Sequence, residues 1–146
     1  MWSLLESSHP LILRLINKRI TIILETEMEG VIFMPQAMHL LLLEYLTAIQ
    51  GIYGSHLKRV ILYGSYARGD YTTDSDVDIM ILVDLNENEL DQYSDALSEI
   101  GFEYNVEHDI WMMPVVKNIE HFRHWVTAYP FYKNVQKEGV VLYEAA

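Results

Sequence analysis

The 146-residue sequence contains no cysteine. Disulfides, thiolate metal sites and thiol catalysis are therefore excluded, and a reducing compartment such as the cytoplasm suits the composition. Bases are scarce. Ten Lys and Arg stand against 21 Asp and Glu, for a formal net charge of −11 and a pI near 4.8. Such a chain has little surface with which to neutralise phosphates, so direct nucleic-acid binding is not expected. Long uninterrupted apolar runs are also missing. Leu11 to Leu24 is broken by Arg14, Lys18 and Arg19, and Met38 to Ile49 is short and holds Glu44. A spanning helix needs ~20 mostly apolar residues, so neither segment is expected to cross a membrane. Glu6 and His9 stand where an export signal would place bases, and no such signal is expected. There is no internal repeat and no low-complexity stretch. What the chain does have is 51% hydrophobic residues, enough for the core of one domain.

The acids are unevenly placed. Asp70 to Asp109 holds 13 of them and no Lys or Arg, while the other 106 residues carry 8 acids and 10 bases. A solvated acidic helix face accounts for part of this. Carboxylates that converge instead repel one another unless a cation or a shared proton intervenes. The same acidity favours a protein or a small cationic molecule as the substrate.

Periodicity predicts a mixed α/β (α+β) domain. Residues 10–28 read as a helix and Gly30 to Met34 as a connector. Pro35 suits a helix start, with an apolar helix over Gln36–Gln50. Leu57–Tyr63 and Asp76–Val83 read as strands. Asn86 or Asn88 caps a helix whose apolar face is Leu90, Tyr93, Leu97 and Ile100, and Gly101 is the expected stop. Residues 103–113 are expected to form a third strand ended by Pro114. Asn118 opens a further helix, Pro130 interrupts it, and a last helix runs to Gly139.

Two features of Val60–Val83 carry chemistry. Gly64-Ser65 follows a strand, where a glycine lets backbone approach a ligand and a serine hydroxyl reaches phosphate oxygens. Asp76 and Asp78 lie two apart on a predicted strand, so both carboxylates project from one face, about 7 Å apart. Magnesium prefers oxygen ligands and keeps room for phosphates, so it is the natural guest. His121 and His124, three apart on a predicted helix, have no partner at matching spacing and read as packing residues. Tyr129, Tyr132 and Tyr143 read as core or rim, and Met112-Met113 as core.

Gly64-Ser65, ten intervening residues, then Asp76-Val77-Asp78 resembles the signature of the DNA polymerase β-type nucleotidyltransferases. Tyr66-Ala67-Arg68-Gly69-Asp70 and Asp74-Ser75 resemble the minimal nucleotidyltransferase branch in particular, and the run Tyr129–Tyr143 resembles the ends of its prokaryotic members. The resemblance implies a small mixed sheet flanked by helices over residues 36–146; residues 1–35 have no counterpart in it and read as a helical N-terminal arm. It implies that Gly64 and Ser65 contact the β- and γ-phosphates of ATP and that Asp76 and Asp78 bind Mg2+. A third carboxylate is expected from a later strand. Asp109 is favoured because Ile110-Trp111-Met112-Met113 follows it, with Glu107 as the alternative. Arg68 either neutralises the leaving phosphates or pairs with Asp70 or Asp74. The extra substrate domains of larger relatives are not expected. The minimal branch resembles antitoxins whose partner is a HEPN-domain ribonuclease toxin, in which AMP passes from ATP to a toxin tyrosine. The resemblance thus implies a Mg2+-dependent adenylyltransferase in a hetero-oligomer with its toxin. A small cationic antibiotic as the acceptor, or an idle toxin-binding module, are the alternatives.

Overall fold

The computed structural model describes residues 34–146. The helix expected over 10–28, and nearly all of the expected arm, lie outside the described residues. Helix α1 spans Gln36–Tyr53, with Pro35 as its N-cap in an extended conformation. Its buried residues Met38, Leu42, Tyr45, Leu46, Ile49 and Tyr53 recur at three- and four-residue steps and form one face. The helix outlasts the expected end at Gln50, because Gly51 has open space around it and Ile52 and Tyr53 still have core to meet. Gly54, at φ 54°, ends it and donates its N–H to the Gln50 carbonyl.

Strand β1 spans Leu57–Tyr63 and strand β2 Val77–Val83. They pair antiparallel, with Leu57 opposite Val83 and Tyr63 opposite Asp78. Between them lies the one-turn helix α2, Ser65–Arg68, closed by Gly69 at φ 82°. Asn86 opens helix α3, Glu87–Leu90, through a capping box. Its side chain accepts from the Glu89 N–H at 3.0 Å, and Glu89 accepts from the Asn86 N–H at 2.8 Å. A 3-10 turn over Asp91–Tyr93 then leads into helix α4, Ser94–His108.

Here the sequence expectation fails. Gly101 does not stop α4, and the strand expected over 103–113 is helix as far as His108. A glycine inside a helix costs only about 1 kcal/mol relative to alanine. Continuing brings Tyr104 against Tyr45, edge to face at 5.4 Å, and packs Ile100 and Tyr104 on the core. The helix ends instead at Asp109, which takes the left-handed conformation (φ 53°, ψ 41°) and donates its N–H to the Asn105 carbonyl.

Strand β3 is Met112–Asn118, parallel to β2. Pro114 lies within it rather than ending it. It is tolerated because β3 is at the sheet edge, where a missing N–H can face away from the ladder. Asn118 caps helix α5, Ile119–Trp125, accepting from the N–H groups of Glu120 and His121 at 2.9 and 3.0 Å. Helix α6 spans Pro130–Glu138, and strand β4, Val140–Glu144, returns antiparallel to β1. This last strand was not expected from periodicity. The sheet order is β3-β2-β1-β4, which is the expected mixed sheet flanked by helices.

Both faces of the sheet are covered. Val60, Leu62, Val77, Ile79 and Ile81 pack with the buried face of α1. Ile61, Met80 and Leu82 pack with Ile119, Phe122, Tyr132 and Val135 from α5 and α6. Central β2 is therefore buried along its length except at Asp78. Among the described residues the Tyr45 hydroxyl has no hydrogen-bond partner, and burial drives its pKa far above the ordinary tyrosine value. Tyr45→Phe is expected to stabilise the fold by about 1 kcal/mol, since it removes an unsatisfied polar group and keeps the ring. Urea unfolding checks this, and a lower midpoint would contradict it. Among the described residues no helix is long and apolar enough to cross a membrane.

Candidate active site

Strand alternation places Asp78 on the same face of β2 as Met80 and Leu82. Helices α5 and α6 cover the Met80 and Leu82 rows. Asp78 is in the next row, with Tyr63 beside it on β1 and Met113 beside it on β3. Its row is left half-open, and Phe131 at the start of α6 packs edge-on against Tyr63 at 5.5 Å.

The turn from β1 into α2 closes over this carboxylate. Gly64 has φ 72° and ψ −154°, and a Cβ built there would collide with the Asp78 carboxylate oxygen Oδ2. Only glycine permits both the backbone angle and the approach. Two parts of the motif that are 14 residues apart in the chain are thus in contact in the fold.

The electrostatics of the pair are unfavourable as they stand. Burial, and then the neighbouring charge of Asp76, push the Asp78 carboxyl above its ordinary pKa, against an opposing pull from Arg68. Burial, and then Asp78, likewise raise the Tyr63 phenol. Two mutually repelling carboxylates, one of them partly desolvated, have the donor chemistry that a hard divalent cation relieves.

Arg68 is held by acids. Its Nε donates to Asp70 Oδ2 at 3.3 Å, and its Nη1 lies 3.6 Å from Glu138 Oε2. Of the two pairings expected for it, the one with Asp70 forms. Glu138 ties α2 to the end of α6, a contact hidden in sequence by 70 residues of separation.

The third carboxylate is not where it was expected. Asp109 caps α4 and Glu107 is on that helix, 3.7 Å from His108 Nε2. Neither is on a strand. Among the described residues no group of three or more His, Asp or Glu is placed to hold a metal ion. The β3 residue beside Asp78 is Met113, which is 46% exposed. Met112 is buried as expected, whereas Met113 is not core. The signal for Tyr63 and Met113 was strand parity, which needs the register of both neighbouring strands. His121 is accounted for as expected, its Nδ1 lying 3.2 Å from the Tyr132 hydroxyl. His124 packs edge-on against Trp125 at 4.8 Å, and Tyr129 stacks on Trp125 at 5.0 Å.

Residues 43–142 match the model of the family described as nucleotidyltransferase domain. Two proteins of Methanocaldococcus jannaschii, both provisionally named protein adenylyltransferase, are similar to this chain. One is 36% identical over 68% of this chain and 92% of its own length. The other is 40% identical over 50% of this chain and 72% of its own length. A solved structure of the toxin-antitoxin pair MntA-HpeT is a distant likeness, at 16% identity and a TM-score of 0.43 over 70% of this chain and 73% of that one. The family match spans well over half of the sequence and includes the whole stretch from Gly64 to Asp78, so the chain belongs to the nucleotidyltransferase domain family and is an enzyme of nucleotidyl transfer.

Proposed function

We propose that this enzyme transfers AMP from ATP to a tyrosine of a HEPN-class ribonuclease toxin, with Mg2+ as cofactor, and so acts as an antitoxin. The observation that carries the reading is the contact between the Gly64 turn and the Asp78 carboxylate. It joins a backbone bend suited to phosphates to a pair of acids suited to a cation. The relatives named as protein adenylyltransferases support a protein acceptor, and the resemblance of Tyr66–Ser75 to the minimal branch supports the toxin as that acceptor.

In this reading Gly64 and Ser65 bind the β- and γ-phosphates, and Arg68 adds positive charge beside them. Asp76 and Asp78 hold Mg2+, which when bound neutralises charge on the phosphates. The acceptor hydroxyl oxygen forms a bond to the α-phosphorus, the bond from that phosphorus to the bridging oxygen breaks, pyrophosphate leaves, and the hydroxyl proton passes to water. An added phosphate on a toxin tyrosine places negative charge where RNA phosphates must bind.

The test is mass spectrometry of the toxin candidate encoded beside this gene, co-expressed with this enzyme and separately incubated with it, ATP and Mg2+. AMP on a tyrosine is expected, and its loss with Asp76→Ala. Absence of AMP from the co-expressed protein, with no label transferred from ATP in vitro, would overturn the reading.

A further inference from the structure

The row of the sheet that holds Asp78 continues on β3 into Met113 rather than into an acid. Two residues earlier, the Trp111 carbonyl accepts the Val77 N–H at 2.8 Å. Neighbouring strands run about 4.8 Å apart, so Met113 on this edge adjoins the Asp78 row. Trp111 is 59% exposed and Met113 46%. Both line a cavity of about 510 Å3 between α4 and β3, together with Tyr53, Leu97, Phe102 and Pro114. On the exposed side of α4, Phe102 and Val106 are still more open. Single exposed apolar side chains are ordinary, but a group of them around one cavity marks a binding surface.

The surroundings decide what binds. Asp91 lines the same cavity, and α4 carries Asp95, Glu99, Glu103 and Glu107 with no Lys or Arg. An anionic or phosphate-rich ligand is repelled there. A small polycation would be attracted to the rings of Trp111 and Phe102 but would leave Leu97, Met113 and Pro114 unused, whereas an apolar side chain is stabilised by all of them. The Gly64 turn closes over Asp78 from the β1 side, and under the proposed function the nucleotide phosphates bind at that turn. The β3 side is left for the acceptor.

We propose that the α4–β3 cavity, which is on the α1 side of the sheet with Met113 at its β3 edge, seats an apolar side chain of the acceptor polypeptide, flanked by Lys or Arg, so that the acceptor chain crosses that edge to bring its hydroxyl to Asp78. This rests on the protein-adenylyltransferase reading above. Trp111, Met113 and Phe102 are then residues that select the acceptor and do not bind ATP.

The experiment is fluorescence anisotropy with a fluorescein-labelled peptide holding a tyrosine between leucines, with two lysines at each end. It measures binding without turnover. Wild type is expected to bind it, and Trp111→Ser and Phe102→Ser are each expected to weaken binding by about fivefold or more. Replacing the peptide's leucines by serine, or its lysines by glutamate, is expected to do the same. ATP affinity by calorimetry is expected to stay within about twofold in both variants, whose exposed positions leave the core intact. No binding by wild type, undiminished binding by both variants, equal binding of the glutamate peptide, or displacement of the peptide by a single-stranded oligonucleotide would each overturn the seat. Peptide bound normally while no label ever passes from ATP to the toxin candidate would overturn the adenylyltransferase reading and leave the seat standing.

Discussion

Asp78→Asn is expected to lower nucleotidyl transfer by at least about 100-fold and yet raise the melting temperature at neutral pH. The two effects have one origin. Asp78 is partly buried and repelled by Asp76, which is why its carboxyl holds a proton above the ordinary aspartate range. Losing that charge removes a repulsion and, under the proposed function, also removes a cation ligand, so what folding gains the reaction loses. Asp78 is only partly buried, and screening keeps the gain to about 0.5 kcal/mol, or about 1–3 °C for a chain of this size. Because the folded pKa is raised, ionisation of Asp78 opposes folding above it. As the pH falls through that pKa the wild-type carboxyl takes up a proton and the advantage of asparagine shrinks. It vanishes below the ordinary aspartate range, where folded and unfolded chains are both protonated. Paired thermal melts across acid and neutral pH, with label transfer measured alongside, check both halves. An equal stability difference at every pH, or turnover that survives with normal Mg2+ dependence, would contradict the argument.

The motif region was legible because its signals are local. Leu57–Tyr63 reads as a strand from its apolar run, and the structure has that strand at those bounds. Asp78 is placed on its strand by the apolar run after it, but β2 begins at Val77, so Asp76, expected inside the strand, precedes it. The stretch after Ile100 was not legible, for reasons that are tertiary. Gly101 is a reasonable helix stop by local propensity, but that preference is worth about 1 kcal/mol, and the contact of Tyr104 with Tyr45 across two helices outweighs it. Once α4 is extended, Glu107 and Asp109 leave the sheet, Pro114 moves from strand end to strand interior, and Met113 takes the place beside Asp78. One misread glycine thus shifted the whole acceptor side of the site. The family resemblance did not prevent this, because it was close only over Val60–Val83. Strand β4 was missed for a related reason. Val140–Tyr143 is too short and evenly apolar to show alternation, and only its pairing with β1 defines it.

Gly64→Ala should do more harm than any other single-methyl change in the site. The residue has φ 72°, a conformation that costs an L-residue about 1–2 kcal/mol. The added Cβ would meet the Asp78 carboxylate oxygen, so either the turn or the carboxylate must move. Strain and displacement together are expected to cost about 2–3 kcal/mol of stability. Transfer is expected to fall by at least about 100-fold, because a shift near 1 Å between reacting groups is enough for that. Gly51→Ala is the matching control. It adds the same methyl group inside α1, where nothing lies within 4 Å, and is expected to stabilise by about 0.5–1 kcal/mol with transfer unchanged. Chemical unfolding and label transfer on the two variants separate a general intolerance of added carbon from a specific need for backbone contact with Asp78. If Gly64→Ala kept transfer within about threefold of wild type, the closeness of turn and carboxylate would not be what the chemistry requires. Loss of transfer in Gly64→Ala, without loss in Gly51→Ala, ties the reaction to the place where the bend and the acid touch.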